Sequence, residues 1–376
     1  MQSRRTRSIG GWAVSALLFS LGCGSGPTGA TDEAWTPPRT AWGEPDIGGV
    51  WRYQGTAPLE RPASVDGREF LSDEEVAAVQ DREDEAVARG IAGADDFRPD
   101  VEDSPFQSNE YNRFWVYEGL PKTVSRRTSL IVEPPDGRIP LKPEALKREQ
   151  FHELWVSNFP PPEHYNNSWL DRDTGERCLT DGTIGQMWVG TGPNQIIQGP
   201  GYVAVLHEQF RDRRVIPTDG RSPSEVPTWL GSATGRWEGD TLVVETSHFL
   251  DKTDQWWQDI WKAGSDTMHL VERWTRVGPD ALAYRLTVTD PSKFIRPWSV
   301  ELTLTNILTV EKPLIFFEYA CTERNYALVN VLSAHRNLER DDPSLKSRRT
   351  DFEGWLAQNP EVPAWEDLQP PPRRRP

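Results

Sequence analysis

Titratable side chains interrupt several apolar strand patterns in the second half of the chain, and they are the first candidates for chemistry. In VAVLHEQF, alternation places His207 on the same face as Val203 and Val205. In TLVVETSHF, His248 follows Leu242 on the apolar face in the same way. Burying an imidazole costs free energy unless it is paired, so both positions indicate either a structural hydrogen bond or a tuned site.

Two carboxylates lie in comparable patterns. The segment HLVERWTRV carries Glu272 on one face and His269 with Arg273 on the other, and alternation alone does not decide which face is interior. Glu272 and Arg273 could also form a structural ion pair within the sheet. In IFFEYACTERNY, Glu318 and Tyr319 occupy opposite faces, and the interior face is again undecided.

Convergence of these groups at one barrel mouth would give a site for acid/base chemistry. His207, His248, Glu272 and Glu318 would then supply a general base, a general acid and an anion partner, so they are the candidate catalytic residues. An alternative arrangement uses His207, His248 and His269 as an open three-ligand zinc site. Because no H-x-H spacing supports it, we predict neither a metal nor another cofactor.

Aromatic and polar residues in two further segments suggest contact with a ligand. The segment WWQDIW contains Trp256 and Trp257, and stacked indoles suit sugar rings or planar aromatics, unless the loop simply packs on the end of the barrel. A second group would arise if Cys178 pairs with Cys321, because Arg177 would then lie beside the strand that carries Glu318. The candidate ligand-binding residues are therefore Arg177, Tyr319, Trp256, Trp257, His269 and Arg273.

Several familiar catalytic signatures are missing. There is no Walker A loop, and GTG at 190–192 lacks the third glycine of a dinucleotide fingerprint. The motif GSATG at 231–235 places its serine one position early for a nucleophile elbow. His207 is followed by no second histidine at the zincin spacing. These absences disfavour nucleotide binding, α/β-hydrolase chemistry and a metalloprotease site.

The elements that must position these residues are antiparallel strands. From Gly201 onward the apolar pattern has period two, with turn sequences EGD at 238–240, GPD at 278–280 and DPS at 290–292. Many hairpins without βαβ spacing favour a closed sheet. We predict a mainly β fold, an antiparallel lipocalin-like or similarly curved β-barrel with two or three covering helices. The predicted strands are VAVLHEQF, RRVIPT, GRWEG, TLVVETSHF, HLVERWTRV, LAYRLTVTD, WSVELTLT and IFFEYACT.

Other segments define the first strand and the helices. GGVW at 48–51 is typical of an opening strand. Ser72 and Glu75 have the spacing of a capping box and predict a surface helix near 72–90. A second helix is predicted near 143–156, and a short one over 344–357. The domain boundaries are then 1–22 for an export signal, 23–45 for a flexible tether, 46–340 for a single β-rich domain, and 341–376 for the C-terminal helix and a disordered tail.

The N-terminus has the order of an export signal. Arg4, Arg5 and Arg7 precede an apolar run from Ile9 to Leu21, which is too short to span a bilayer as a mature helix. SLGC, ending at Cys23, resembles a bacterial lipobox, which predicts lipidation of Cys23; plain secretion is the alternative. The arginine pair also permits a twin-arginine signal. We predict a periplasmic or outer-membrane lipoprotein.

Composition limits the partners. A formal net charge of -15 disfavours nucleic-acid binding, which requires clustered Lys and Arg. With Cys23 assigned to the lipid, Cys178 and Cys321 remain, and an oxidising periplasm favours a disulfide between them over two buried free thiols. The 17 tryptophans indicate either a packed β core or an aromatic pocket.

Seven segments together resemble a large family of exported bacterial proteins, over most of the mature chain. After the GGVW opening they follow in the order SLIVEPPDGRIP, ERCL, QIIQGPGYVAVLHE, RVIPTDGR, GRWEGDTLVVET, HLVERWTRV and EYACTERNY. The resemblance implies export, but it implies no activity and no catalytic residues. Function must therefore be argued from the residues themselves.

These observations predict a small-molecule binding protein attached to a membrane only through its lipid. The expected ligand is amphipathic, aromatic or sugar-like, because barrels of this size hold one small ligand near their mouths. The alternative is an acid/base enzyme such as a hydratase, isomerase, lyase or hydrolase, using the barrel-mouth histidines and glutamates. Scaffolding in the cell envelope is a third possibility, and it would need a broad exposed apolar patch.

Overall fold

Alternating apolar and polar residues form a sheet of ten strands. The computed structural model describes residues 35–95, 122–147, 169, 172, 174–188, 192–251, 260–309, 316, 318–323 and 325–343, with only the backbone at 86, 87 and 89–95. The strands are β1 Gly49–Tyr53, β2 Ile131–Glu133, β3 Asn194–Gly199, β4 Tyr202–His207, β5 Arg213–Pro217, β6 Ser232–Glu238, β7 Thr241–Ser247, β8 His269–Gly278, β9 Ala281–Thr289 and β10 Trp298–Asn306.

Nine of the strands follow one another around a nearly closed barrel. Their order is β5-β4-β3-β1-β10-β9-β8-β7-β6, and β2 pairs with β10 beside β1. Every neighbouring pair is antiparallel. The predicted fold class, a mainly β antiparallel barrel of lipocalin-like curvature with a few helices, is confirmed.

The barrel wall has a gap between its two end strands. Because direction alternates at each step, the two end strands, β5 and β6, run parallel to each other, and no ladder of backbone hydrogen bonds joins these two described strands. They nevertheless lie side by side, since a Cβ added at Gly235 would be 3.0 Å from Ile216 Cγ2. We call this gap between β5 and β6 the seam.

The core fills the barrel with alternate side chains from every strand. On β9, for example, Leu282, Leu286 and Val288 are completely buried, while the outward-facing Ala283 and Arg285 are only partly covered. Three tryptophans, Trp51, Trp274 and Trp298, are also completely buried. Core packing therefore explains these three of the 17 tryptophans.

Helices and short turns connect the strands. Helix α1 spans Asp73–Asp95, and its predicted capping box is formed: the Glu75 amide donates to Ser72 Oγ at 3.2 Å, and the Ser72 amide donates to Glu75 Oε2 at 2.8 Å. Residues 143–147 are helical, and residues 148–156 of the second predicted helix lie outside the described part of the chain. Helix α2 spans Ala327–Asp341. Short 3-10 turns cover Ala63–Val65, Gln209–Arg211 and Ile260–Lys262.

Several details differ from the sequence prediction. β2 and β3 were not predicted as strands, and α2 precedes the predicted 344–357 helix, which lies outside the described residues. The predicted strand IFFEYACT is wrong over its described C-terminal half, because residues 318–322 lie in irregular and turn conformation. The VAVLHEQF strand ends at His207, where the chain enters the Gln209–Arg211 turn with Phe210 at a left-handed φ of 56°.

Within the described ranges, no helix has both the length and the apolar character needed to cross a bilayer.

Candidate functional site

A buried ion pair crosses the barrel interior beneath the seam. The Arg214 guanidinium of β5 donates to both carboxylate oxygens of Glu272 on β8, with Nη1 3.1 Å from Oε1, and Nη2 also donates to Thr246 Oγ1 on β7 at 3.1 Å. The Tyr284 hydroxyl on β9 donates to the same carboxylate at 3.0 Å. We call these four residues the seam clasp, because they join β5 to β7, β8 and β9 where the ladder is missing.

Burial and charge fix the protonation of the clasp. Burial alone would lower the pKa of Arg214, but the adjoining Glu272 carboxylate outweighs this effect and the pKa is raised. Burial, reinforced by the negative charge of Glu272, raises the pKa of Tyr284 well above its ordinary value. Arg214 therefore stays charged and Tyr284 stays a hydrogen-bond donor.

His207 lies on the inner face at the end of β4. Its Nδ1 is 3.1 Å from Asn194 Oδ1 on the paired strand β3, and Nε2 has no hydrogen-bond partner among the described residues. Burial lowers the pKa of His207 to about 4, so the imidazole is neutral at neutral pH. No hydrogen bond connects it to Glu272, so these two predicted residues do not form a general acid/base pair.

Asp212 is a buried carboxyl group at the opening of the seam. Its Oδ2 accepts hydrogen bonds from Thr180 Oγ1 at 2.6 Å, from Gln186 Nε2 at 3.3 Å and from the Asp181 amide at 3.3 Å. Burial raises the pKa of Asp212 to about 6, although these hydrogen bonds oppose the shift. Asp212 can therefore hold or release a proton near neutral pH.

The seam widens into a cleft of about 660 Å³ around Asp212. We call this the seam cleft. It is lined by polar and apolar groups from β5, from the loop that precedes β6 and from the segment before β5. Its lining side chains include Phe210, Arg211, Asp212, Arg213, Val215, Arg221, Trp229 and Leu230.

The cations of the seam cleft differ in whether they are neutralised. Arg211 Nη1 lies 3.0 Å from Glu318 Oε1, and Arg221 forms an ion pair with Asp219. Arg213 is exposed and has no carboxylate partner among the described residues. Arg213 is therefore the cleft cation that is available to an anionic ligand.

The rim of the seam cleft contains the second group that the sequence predicted. The Arg177 guanidinium lies 4.8 Å from the centre of the Trp169 ring and 5.9 Å from that of Trp229. The Tyr319 ring meets Phe210 edge-on at 5.2 Å, and Arg211 Nε donates to the Tyr319 carbonyl at 2.9 Å. Arg177, Glu318 and Tyr319 therefore all lie next to the cleft.

The two cysteines hold this rim together. Cys178 and Cys321 are at disulfide distance, with their Cα atoms 5.6 Å apart, as the sequence predicted. Arg177 precedes the first cysteine, and Glu318 and Tyr319 lie just before the second. The pair therefore fixes the two chain segments that form one side of the cleft.

The predicted convergence of four catalytic residues is wrong. His207 and Glu272 are inside the barrel, but the exposed Glu318 lies outside it, paired with Arg211. His248 was predicted on the apolar face, yet β7 ends at Ser247 and the left-handed φ of 58° at His248 gives the next buried position to Phe249. His248 is half-buried, with Nδ1 2.8 Å from Ser247 Oγ.

The structure shows which face of β8 is interior. Leu270, Glu272 and Trp274 face inward, so His269 and Arg273 face outward, away from Glu272. Arg273 donates to Glu238 Oε2 at 2.9 Å, so the suggested Glu272–Arg273 pair is replaced by Arg214–Glu272 inside and Arg273–Glu238 outside.

The alternative zinc site is not assembled. His207 and His269 lie on opposite sides of the barrel wall, and no cluster of three His, Cys, Asp or Glu side chains suited to a metal occurs in the described part of the chain. The remaining predicted residues, Trp256, Trp257 and Cys23, lie outside the described residues.

A second groove, of about 560 Å³, lies on the outer face of β8–β10. Its two arginines from the sheet are already neutralised: Arg273 pairs with Glu238, and Arg285 Nη2 lies 2.8 Å from Glu133 Oε2. It therefore offers less to a charged ligand than the seam cleft does.

Sequence reasoning missed Arg214, Asp212 and Tyr284. The signal for Arg214 was present in RRVIPT, where it alternates with Ile216 on the apolar face of a short strand. Tyr284 likewise alternates with Leu282 and Leu286. Asp212 carries no pattern of its own, because it lies in a turn whose burial depends on the distant segment around Thr180.

No protein-family model, curated protein or solved structure matches the chain significantly. The site is therefore defined by its own geometry, as a cleft in the open seam of an antiparallel barrel.

Proposed function

We propose that this protein binds a small anionic amphipathic molecule in the seam cleft, with Arg213 contacting the anion. A ligand with one carboxylate or phosphate and an apolar chain or ring fits this chemistry. The volume of about 660 Å³ is in the range of small-molecule sites. This function refines the sequence expectation of an amphipathic, aromatic or sugar-like ligand.

The observation that carries the proposal is the contrast between Arg213 and its neighbours. Arg211 and Arg221 already have carboxylate partners, whereas Arg213 has none among the described residues and is exposed. Phe210, Val215 and Leu230 line the same cleft. A charge-assisted hydrogen bond to Arg213 and an apolar contact can therefore be made together.

Binding rather than turnover is supported by the state of the interior polar groups. The Glu272 carboxylate accepts three hydrogen bonds from Arg214 and Tyr284 and is completely buried. A carboxylate held in this way stabilises the structure, and Glu272 does not line the seam cleft, so it is not placed to take a proton from a ligand there.

A matched pair of ligands and a matched pair of variants test the proposal. Decanoate should bind with measurable heat in calorimetry, whereas uncharged decanol should bind more weakly. Arg213→Gln should weaken decanoate binding about tenfold, the effect of losing a charged hydrogen bond of about 1.5 kcal/mol. The control Arg273→Gln should leave it unchanged. Equal affinity for both ligands, or equal binding by Arg213→Gln, contradicts the proposed site.

Export and lipid attachment are part of the same proposal. The basic n-region, the apolar run and SLGC at 20–23 support them. Radiolabelled palmitate should enter the wild-type protein and not Cys23→Ser. Labelling of both, or of neither, contradicts the lipid anchor and leaves the proposed ligand site in the seam cleft unaffected.

A second candidate function is acid/base catalysis, and Asp212 is the observation that favours it. This carboxyl group lines the cleft, is held by Thr180 and Gln186 through one oxygen, and has a pKa near 6. It would replace the histidine and glutamate set that the sequence suggested. Turnover of p-nitrophenyl decanoate with an inflection near pH 6, lost in Asp212→Asn, would support it; binding of decanoate without turnover of the ester would leave only the binder.

A further inference from the structure

The outer surface of the barrel is divided between an apolar part and a charged part. On β6–β8 the outward residues form an ion-pair grid, in which Arg236 contacts Glu238 and Glu245, and Arg273 contacts Glu238. On β3–β5 the outward residues are mostly apolar. We call that part the β3–β5 face; it consists of Ile197, Tyr202, Ala204, Leu206, Val215 and Pro217.

These residues form a continuous surface. The strand register places Ile197, Ala204 and Val215 in one row across three strands, and Tyr202 beside Pro217 in the next. Ile197 is 47% exposed, Tyr202 43% and Val215 64%. Neighbouring apolar side chains this exposed mark a surface that meets something other than water.

Charge on the β3–β5 face is also unusual for this chain. β3, β4 and β5 contain no Asp or Glu, although the whole chain has 57 of them. The outward cation is Arg213, at the edge of the face. A surface without carboxylates and with an arginine at its margin is complementary to an anionic lipid interface.

The position of the N-terminal segment indicates what covers the β3–β5 face. Arg39 Nη2 lies 2.5 Å from Asp240 Oδ1 in the β6–β7 turn, and Gln198 Nε2 donates to the Pro45 carbonyl at 3.0 Å. Residues 39–47 therefore lie at the barrel end that also holds the β3–β4 turn beside Tyr202. The thirteen residues from Cys23 to Trp35 can extend at most about 45 Å from a lipid anchor.

We propose that the β3–β5 face docks on the surface of the bilayer to which the chain is anchored. Tyr202 would lie at the headgroup level, where amphipathic rings are favoured, and Ile197 would enter the acyl boundary. This inference rests on the proposed lipid anchor. It also explains how an apolar face next to an open strand edge avoids pairing with other chains, since the membrane covers it.

A photoactivatable lipid tests the docking in the full acylated chain. The protein is reconstituted into vesicles of phosphatidylcholine and phosphatidylglycerol in equal amounts, which contain some phosphatidylcholine with a diazirine in its acyl chain. Cross-links are then mapped by mass spectrometry. Ile197 and Tyr202, which do not line the seam cleft, should be labelled several-fold more than Val277, which is 49% exposed on β8.

Matched variants sharpen the result. Ile197→Glu should reduce labelling of the peptide that contains Tyr202, whereas Val277→Glu should not. Labelling confined to cleft residues such as Phe210 would overturn the docking and leave the proposed ligand site intact. Even labelling of all faces, or cross-links only between protein molecules, would also overturn it, the latter in favour of a second copy on this face.

The intact mass of the protein distinguishes failure of the proposed lipid anchor from failure of the proposed docking. If the purified protein carries no acyl chain at Cys23, the lipid anchor is wrong. If it is acylated and Ile197 and Tyr202 remain unlabelled, the docking alone is wrong.

Discussion

At the scale of single residues, Arg214 and Glu272 compensate for the missing ladder at the seam. Both are almost completely buried, and each is the main charged partner of the other. Charges removed from water are tolerated because they are paired and the Glu272 carboxylate accepts three hydrogen bonds from Arg214 and Tyr284. The pair therefore joins the edge strand β5 to β8 across the barrel interior, close to the place where the backbone ladder is missing.

Removing one member of this pair should be strongly destabilising. Glu272→Ala leaves a buried, uncompensated guanidinium, and we expect the free energy of unfolding to fall by about 3–5 kcal/mol. The double variant Arg214→Met with Glu272→Leu should recover much of that loss, because no charge remains buried. Urea denaturation measures both.

The control is an arginine–glutamate ion pair on the outer surface. Glu238→Ala removes the partner of Arg273 in solvent and should have a far smaller effect. A loss in Glu272→Ala no larger than in Glu238→Ala would show that the clasp does not stabilise the barrel.

Burial lowers the pKa of His207 and raises the pKa of Asp212. The two shifts have opposite effects on how the stability of the folded state changes with pH. The pKa of His207 is lowered from 6.5 to about 4, so the folded state loses stability as pH falls through that window. The pKa of Asp212 is raised from 3.8 to about 6, so the folded state gains stability as pH falls through its own window. Each effect is at most about 3 kcal/mol.

Single substitutions should separate the two effects. Relative to His207→Gln, the wild type should lose up to about 3 kcal/mol between pH 7 and pH 4; relative to Asp212→Asn, it should gain a similar amount. Urea unfolding at both pH values gives these differences. Two differences that change in the same direction, or that stay constant, would contradict the burial of these groups.

At the scale of elements, the seam depends on close packing between β5 and β6. Gly235 permits it, because an added Cβ would lie 3.0 Å from Ile216 Cγ2, 3.1 Å from Thr218 Cγ2 and 3.3 Å from Leu242 Cδ1. Gly235→Ala should therefore cost roughly 1–3 kcal/mol through overpacking. It should also accelerate amide hydrogen exchange in β5 and β6 while leaving β9 and β10 unchanged.

Thr234→Ala is the matched control, since it changes the neighbouring residue of the same strand, on the other face. It should leave exchange in β5 unchanged. Uniform acceleration across the barrel in Gly235→Ala would mean that the seam does not open independently of the rest.

The elements also show which parts of the fold were predictable. Two-residue turns join β6 to β7 and β8 to β9, and β9 alternates buried and partly exposed residues strictly, so local pattern was sufficient there. β3 was missed because NQIIQG is short and begins with two polar residues, of which Asn194 is buried by pairing with His207. His248 was misplaced because one left-handed residue shifts the alternation, and period two cannot detect it.

At the scale of the whole molecule, the site was only partly predictable because it depends on contacts distant in sequence. Arg177, Glu318 and Tyr319 were found because the cysteine count brought their segments together. The Arg214–Glu272 pair was missed because it spans 58 residues and requires the strand order of the closed barrel. The odd number of strands in the barrel wall, which makes β5 and β6 parallel, depends on β3 and could not be derived without it.

The Cys178–Cys321 pair links these scales, since it closes a loop of 143 residues and fixes one side of the seam cleft. Replacing both cysteines by serine should lower the free energy of unfolding by up to about 5 kcal/mol, the loop-closure value for such a length. Decanoate binding should weaken as well, because the Phe210–Tyr319 and Arg211–Glu318 contacts lose their support.

The control Cys23→Ser should change neither the stability of the folded domain nor its affinity for decanoate. Denaturation with and without reductant, beside calorimetry with decanoate, checks both effects. Unchanged affinity in the double serine variant would show that the cleft holds its shape without the rim, and would restrict the role of the two cysteines to global stability.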